Sequence, residues 1–180
     1  MARNCQTIDY REDYYKGFSS LYFNSILKTI INLGELQDEK NIILDYGCGV
    51  GHLKKRLNKP NVIGYDIVPE LSEIDDYKKI IPHKIVLSGV LEHLYLNEIE
   101  DLLKSFLNIN SKAILLVYLP TENFVSKIAM VLAGQSNAHD DHVSSYKDIN
   151  KIVSKYYYPE KQVYKFFSMA QVTKYVPLNR

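Results

Sequence analysis

Tryptophan is absent from these 180 residues, and cysteine occurs only twice. Two cysteines as unlike a framework as Cys5 and Cys48 exclude a fold held together by disulfides and point to a reducing compartment. No apolar run approaches the roughly 18 residues needed to span a bilayer. The stretch Met1 to Thr7 lacks the apolar core of a secretory leader, so a soluble, cytoplasmic protein with no membrane partner is expected. Nor is either charge in excess: Lys+Arg 22 against Asp+Glu 21 leaves a formal net charge of +1. That balance lacks the basic surplus that a nucleic-acid partner demands. Repeats, low-complexity tracts and linkers are missing as well, and the length suits one domain over residues 1–180. Hydrophobic residues at 46% and charged residues at 24% are ordinary globular values, and tyrosine, at 15 residues, is frequent.

The informative stretch is Ile42 to His52. A short apolar run, Ile42-Ile43-Leu44, stops at Asp45 and passes into glycines at alternate positions, Gly47, Gly49 and Gly51. This reads as a strand delivering a ligand loop, because glycine removes Cβ atoms from the inner curve and lets the backbone take positive φ. Leu53 to Leu57 follows as a helix whose first N–H groups point back at the ligand and favour an anionic group. The dinucleotide fingerprint G-x-G-x-x-G needs a glycine where this chain has His52, which argues against a nicotinamide cofactor. A second strand, Asn61 to Tyr65, ends in Asp66, whose carboxylate can accept from two ribose hydroxyls.

With D-x-G-x-G-x-G followed by Asp66, the chain resembles the class I methyltransferases that use S-adenosyl-L-methionine (SAM). A second match is Val90-Leu91-Glu92-His93-Leu94, which follows the apolar strand His83 to Ser88. The resemblance implies an α/β Rossmann-like fold, a mostly parallel sheet completed by a C-terminal antiparallel hairpin. It implies that Asp45 meets the amino group of the methionine moiety. Gly47, Cys48, Gly49, Gly51, Asp66, Ile67, Ser88 and Gly89 would complete the cofactor site. Only a short stretch separates Asp66 from the next strand, too short for a full helix plus a third strand. The third-strand region is therefore expected to be shortened, with Asp75 or Asp76 near the adenine or, equally, solvated on a turn. His93, whose pKa range suits proton acceptance, is the candidate general base, with Glu92 as its neighbour or as a polar wall. Cys48, beside a helix start that lowers a thiol pKa, reads more simply as a small packing residue facing the cofactor.

Around this centre, residues 1–17 form an arm or lid with Tyr10, Arg11, Tyr14 and Tyr15. An aromatic face such as Tyr14 attracts a cation, although amphipathic tyrosines also pack on domain edges. Phe23 to Ile31 has helical spacing and ends near Gly34. Asn97 and Glu100 start a helix before the apolar strand Ala113 to Leu119, and a further helix is expected from Phe124 to Leu132. The polar loop Gln135 to Val143 carries His139-Asp140-Asp141-His142. These are metal-ligating types, but without a further His or Cys cluster no metal is expected. The resemblance instead brings His139 and His142 near the acceptor. Ser145 with Asp148 caps a last helix, and Gln162 to Phe167 with Gln171 to Val176 forms the hairpin. The function implied is methyl transfer from SAM to a small-molecule acceptor. The alternatives are a non-catalytic SAM-binding module of the same fold and a nicotinamide-dependent oxidoreductase.

Overall fold

Alternation of apolar side chains along four short strands decides the layering of this protein. The computed structural model describes residues 17–121 and 143–178. The N-terminal arm with Tyr14, the Phe124 to Leu132 segment and the loop bearing His139 and His142 lie outside the described residues. Four parallel strands, β1 (Ile43–Tyr46), β2 (Val62–Tyr65), β3 (Lys84–Ser88) and β4 (Ile114–Pro120), are joined by β5 (Tyr157–Lys165) and β6 (Ala170–Pro177). The order is β2-β1-β3-β4-β6-β5, with β6 antiparallel to both β4 and β5. The mostly parallel sheet and its terminal hairpin are as the sequence predicts.

Leu44, Ile85, Leu87, Leu115, Val117 and Leu119 point to one face, where they meet α3 (Leu96–Ile109) and α4 (Tyr146–Val153). Ile43, Val62, Val86, Leu116 and Tyr118 point to the other, against α1 (Gly17–Gly34) and α2 (His52–Leu57). Burial on both faces explains why β3 and β4 read as near-continuous apolar runs. Ser145 caps α4 as predicted, its hydroxyl accepting from Asp148 N at 3.3 Å. The start of α3 is a correction: it begins at Leu96, where Glu98 reaches back to accept from Tyr95 N at 2.8 Å. Glu98 is thus the acid that closes this helix end, rather than Glu100.

The stretch between β2 and β3 is shorter than even the trimmed expectation. It holds neither a strand nor an α-helix, only 3-10 turns at Pro69–Leu71 and Tyr77–Lys79, so β2 is an edge strand. Aromatic rings close the gap on the α3 side. Tyr46 and Tyr65 stand side by side at 5.1 Å, and Tyr77 packs edge-on against Tyr46 at 5.1 Å and Phe106 at 5.7 Å. The Tyr77 hydroxyl bonds Ser105 Oγ at 3.0 Å. Three tyrosines thereby cover with large amphipathic side chains what a helix would otherwise cover, and here the high tyrosine content has a structural use.

Candidate functional site

The C-terminal ends of the parallel strands carry the site, where open α/β sheets place their ligands. After β1 the chain turns sharply: Gly47, Gly49 and Gly51 all have positive φ, at 75°, 51° and 75°. Their side-chain space differs. A Cβ on Gly47 would sit 2.5 Å from Val90 Cγ2, so the loop is pressed against the segment after β3. A Cβ on Gly49 or Gly51 would meet nothing within 4 Å, so these two present bare backbone to open space. Gly47 N and Cys48 N both donate to Tyr65 O, at 2.8 and 3.1 Å. Asp66 Oδ2 accepts from Gly49 N at 2.9 Å, and Oδ1 accepts from Val68 N at 3.0 Å. Loop and acid are therefore one unit, on the same edge of the sheet. Each carboxylate oxygen keeps a further lone pair for a ligand hydroxyl.

The charge on this side of the loop is set by Asp45, in β1. Asp45 is 4% exposed, and none of the described side chains donates to it. Burial first, then the charges of Asp66 and Glu73, push its carboxyl up to about 7. Such a site favours a cation beside Asp45, because an opposite charge restores the ionised form. Cys48 sits in the same field, and burial with those acids pushes its thiol up to about 12, against the lowering expected from a helix start. It is a packing residue, with Sγ donating to Leu71 O at 3.5 Å and closing over Gly64, where a Cβ would come within 2.9 Å of the sulfur. A cleft of about 740 Å³ opens beside the loop, between Gly51, Lys54 and Leu71. It marks the flank left uncovered by the short segment after β2.

Across the edge, Ser88 ends β3, and Gly89, at φ 71°, swings the chain into the turn Leu91–His93. This turn buries Glu92 and exposes His93. Glu92 is 4% exposed, and its Oε2 has no hydrogen-bond partner. Burial pushes its carboxyl up to about 7. Its backbone oxygen accepts from Val143 N at 2.8 Å, fixing the turn to the segment that leads into α4. A Cβ on Gly89 would lie 3.6 Å from Glu92 Oε1 and 3.9 Å from Tyr118 Cε1. Tyr118 in turn shares a hydrogen bond with Tyr22 of α1, the two hydroxyls 3.1 Å apart. Sequence reasoning passed over both tyrosines. The available signal was one hydroxyl-bearing ring in the otherwise aliphatic run of β4.

Two other predicted residues lie apart from this cluster. Asp75 is fully exposed and pairs with Lys79 at 2.6 Å, which holds its carboxyl below the usual range. Asp76 instead caps the turn at Tyr77, accepting from Lys78 N at 2.9 Å. Ile67, next to Asp66, is 87% exposed at the rim of the loop.

Comparison with solved structures assigns the architecture. Magnesium protoporphyrin IX methyltransferase from Synechocystis, with bound S-adenosyl-L-homocysteine (SAH), superposes with a TM-score of 0.57 at 15% identity, covering 92% of this chain and 97% of that one. N-methyltransferase NodS from Bradyrhizobium japonicum, also with SAH, gives 0.63 at 12% identity over 96% and 94% of the two chains. The fold is that of the class I methyltransferases. The PH0226 protein from Pyrococcus horikoshii aligns similarly, with a TM-score of 0.62 at 14% identity over 93% and 99%. No protein-family model and no curated protein sequence matches the chain. Among the described residues, no helix of this methyltransferase fold is long and apolar enough to cross a membrane.

Proposed function

We propose that this chain binds SAM across the glycine loop and transfers its methyl group to a small molecule bearing a hydroxyl or amine. One observation carries the reading. Two carboxylates, Asp45 and Asp66, flank a loop whose Gly49 and Gly51 leave at least 4 Å of open space above the backbone. The residues present fit the cofactor. Asp45 is a buried acid that gains from a cation, as the ammonium of a methionine moiety would supply. Asp66 already orders the loop and retains lone pairs for ribose hydroxyls, with exposed Ile67 beside it for the base.

Bound SAM supplies an electrophilic methyl group whose sulfonium leaves as a neutral thioether, so the protein needs no nucleophile of its own. The work left to this chain is positioning and proton acceptance. Alignment of acceptor, methyl carbon and sulfur is worth roughly 7–11 kcal/mol. Glu92, rather than the exposed His93, is the base in this reading. Its Oε2 is buried and unpartnered, and a carboxyl with a pKa of about 7 is matched to proton acceptance near neutral pH. As the acceptor's O–H or N–H attacks, its proton passes to Glu92, while Tyr22 and Tyr118 supply hydroxyls that orient it.

Isothermal titration tests the first half: SAH should bind wild-type protein, and absence of binding at millimolar ligand defeats the proposal. Incubation with labelled SAM and a cell extract tests the second. Transfer of label to a small-molecule product is the expected result. Cofactor uptake without any labelled product would instead identify a binding module of the same fold.

A further inference from the structure

Glu92 occupies a position that its side chain alone does not favour. A carboxyl gains more from water than from apolar surroundings, yet Glu92 is 4% exposed and its Oε2 has no hydrogen-bond partner. The backbone must therefore impose the position. Within the turn, His93 N donates to Val90 O at 3.1 Å and Leu94 N to Leu91 O at 3.2 Å. Bonds of the 3-10 type have poor geometry, and two of them are a weak brace for a turn of three residues.

A stronger brace comes from the segment that leads into α4. Glu92 O accepts from both Val143 N, at 2.8 Å, and Ser144 N, at 3.3 Å, and Leu94 O accepts from Ser144 Oγ at 2.7 Å. Ser144 thus grips the turn at two carbonyls, those of Glu92 and Leu94, which fixes its rotation as well as its place. Ser144 is itself buried and is tied to the core from its other side. Ser145 caps α4, Ile149 and Val153 of that helix are fully buried, and Asn150 exchanges amide hydrogen bonds with Gln171 of β6 at 3.1 and 3.0 Å. The other titratable groups on these elements are hydroxyls or exposed charges. Tyr22 from α1 feels the charge of Glu92, Tyr118 from β4 lies across Gly89, and Tyr146 packs on the core cluster that holds Leu91, while His93, Lys147 and Asp148 are exposed.

We propose that Ser144 is a positioning residue, whose hydroxyl and backbone N–H hold the Leu91–His93 turn so that the Glu92 carboxyl stays buried. Its bearing on methyl transfer rests on the reading of Glu92 as the base, but its hold on Glu92 is measurable without SAM or an acceptor. A supporting shell of hydrogen bonds keeps a reacting group in place when the group has none of its own. A serine that merely satisfied Leu94 O would instead stabilise the chain without governing how Glu92 takes up a proton.

Carbon-13 NMR of the full chain, labelled at its glutamate carboxyls, follows Glu92 directly, with the resonance assigned by its loss in Glu92→Gln. Burial places the wild-type midpoint at about 7, and in Ser144→Ala it should fall by about one pH unit or more as water reaches the loosened turn. Ser144→Thr, which keeps the hydroxyl, should titrate as wild type does. Ser145→Ala removes the cap of α4 and should lower stability without moving Glu92. A wild-type midpoint in the ordinary carboxyl range, an unchanged midpoint in Ser144→Ala, a Ser144→Thr chain that titrates like the alanine variant, or an equal fall in Ser145→Ala would each overturn the assignment. So would a Ser144→Ala chain that fails to fold, because Ser144 would then carry the fold rather than the turn. Where labelled SAM and extract give a product, the acid limb of the rate profile should move down with the Glu92 midpoint while SAH affinity stays within about threefold. An unmoved limb beside a lowered midpoint would remove Glu92 as the base, and absence of SAH binding would defeat the cofactor reading; both leave the hold on Glu92 standing.

Discussion

Asp45 and Glu92 are equally buried, at 4% exposure, and both carboxyls are pushed up to about 7, yet for different reasons. At Asp45, burial is reinforced by two further acids, Asp66 and Glu73, so the surroundings resist a second negative charge. At Glu92 burial acts alone, partly offset by a backbone hydrogen bond. A cation bound beside Asp45 relieves the cause of its raised pKa. At Glu92 no neighbouring acid adds to the shift, so its raised pKa reflects burial alone. In the proposed function the two acids accordingly take different parts, Asp45 as an electrostatic anchor for the cofactor and Glu92 as a proton acceptor.

The sharpest way to break this pairing is to neutralise each acid in turn. Glu92→Gln should lower the rate of label transfer from SAM by about 10²–10⁴, the usual weight of a general base, while leaving SAH affinity within about threefold. Asp45→Asn should do the reverse, weakening SAH by about 10- to 100-fold, as expected when one charge-assisted hydrogen bond is lost. Calorimetry and a radiolabel assay on the same preparations read both. Matching losses of affinity in the two variants would show that the acids belong to one site with one role.

Stability against pH sharpens the comparison further. Both carboxyls have folded-state pKa values above the unfolded value, so their contribution is fully present below about pH 4 and is lost as pH rises through about 7. Without ligand, the protein should therefore lose stability between pH 5.5 and 7.5, by about 2 kcal/mol for each acid. Asp45→Asn and Glu92→Gln should each flatten part of that slope in denaturant melts. Saturating SAH should restore stability at pH 7.5 in wild type and in Glu92→Gln, but much less in Asp45→Asn. If SAH rescues all three equally, its ammonium is not at Asp45.

The two sides also differ in how readily the sequence discloses them. Of the candidate site, Asp45 and the alternating glycines were legible because they lie on one stretch of backbone whose spacing encodes the turn, and Asp66 because it closes the next strand. Even there, spacing did not show that Gly47 is fixed by Val90 while Gly49 and Gly51 are open. Tyr22, Tyr118 and Glu92, by contrast, come from α1, β4 and the turn after β3, and no local pattern links them. Which of Glu92 and His93 is buried turned on the sense of one 3-10 turn, which periodicity does not resolve. The mostly parallel sheet and its terminal antiparallel hairpin followed from the resemblance that the glycine loop carries, whereas the order of the strands did not emerge from the sequence. What the sequence understated was the loss between β2 and β3, where the Tyr46, Tyr65 and Tyr77 rings do by packing what a helix would do.

The smallest expected effect tests whether that shortened segment takes any part in cofactor binding. Asp75 is fully exposed and its only described ion pair is with Lys79, four residues on. Exposed pairs at this spacing contribute little to stability and are screened by salt. Asp75→Ala should accordingly leave SAH affinity within about twofold and the denaturation midpoint unchanged. A tenfold loss of SAH affinity would mean that the turn at Tyr77–Lys79 folds inward over the base when ligand binds. In that case the edge beside β2 would be a closing element rather than an open flank, and cofactor binding would depend on its motion.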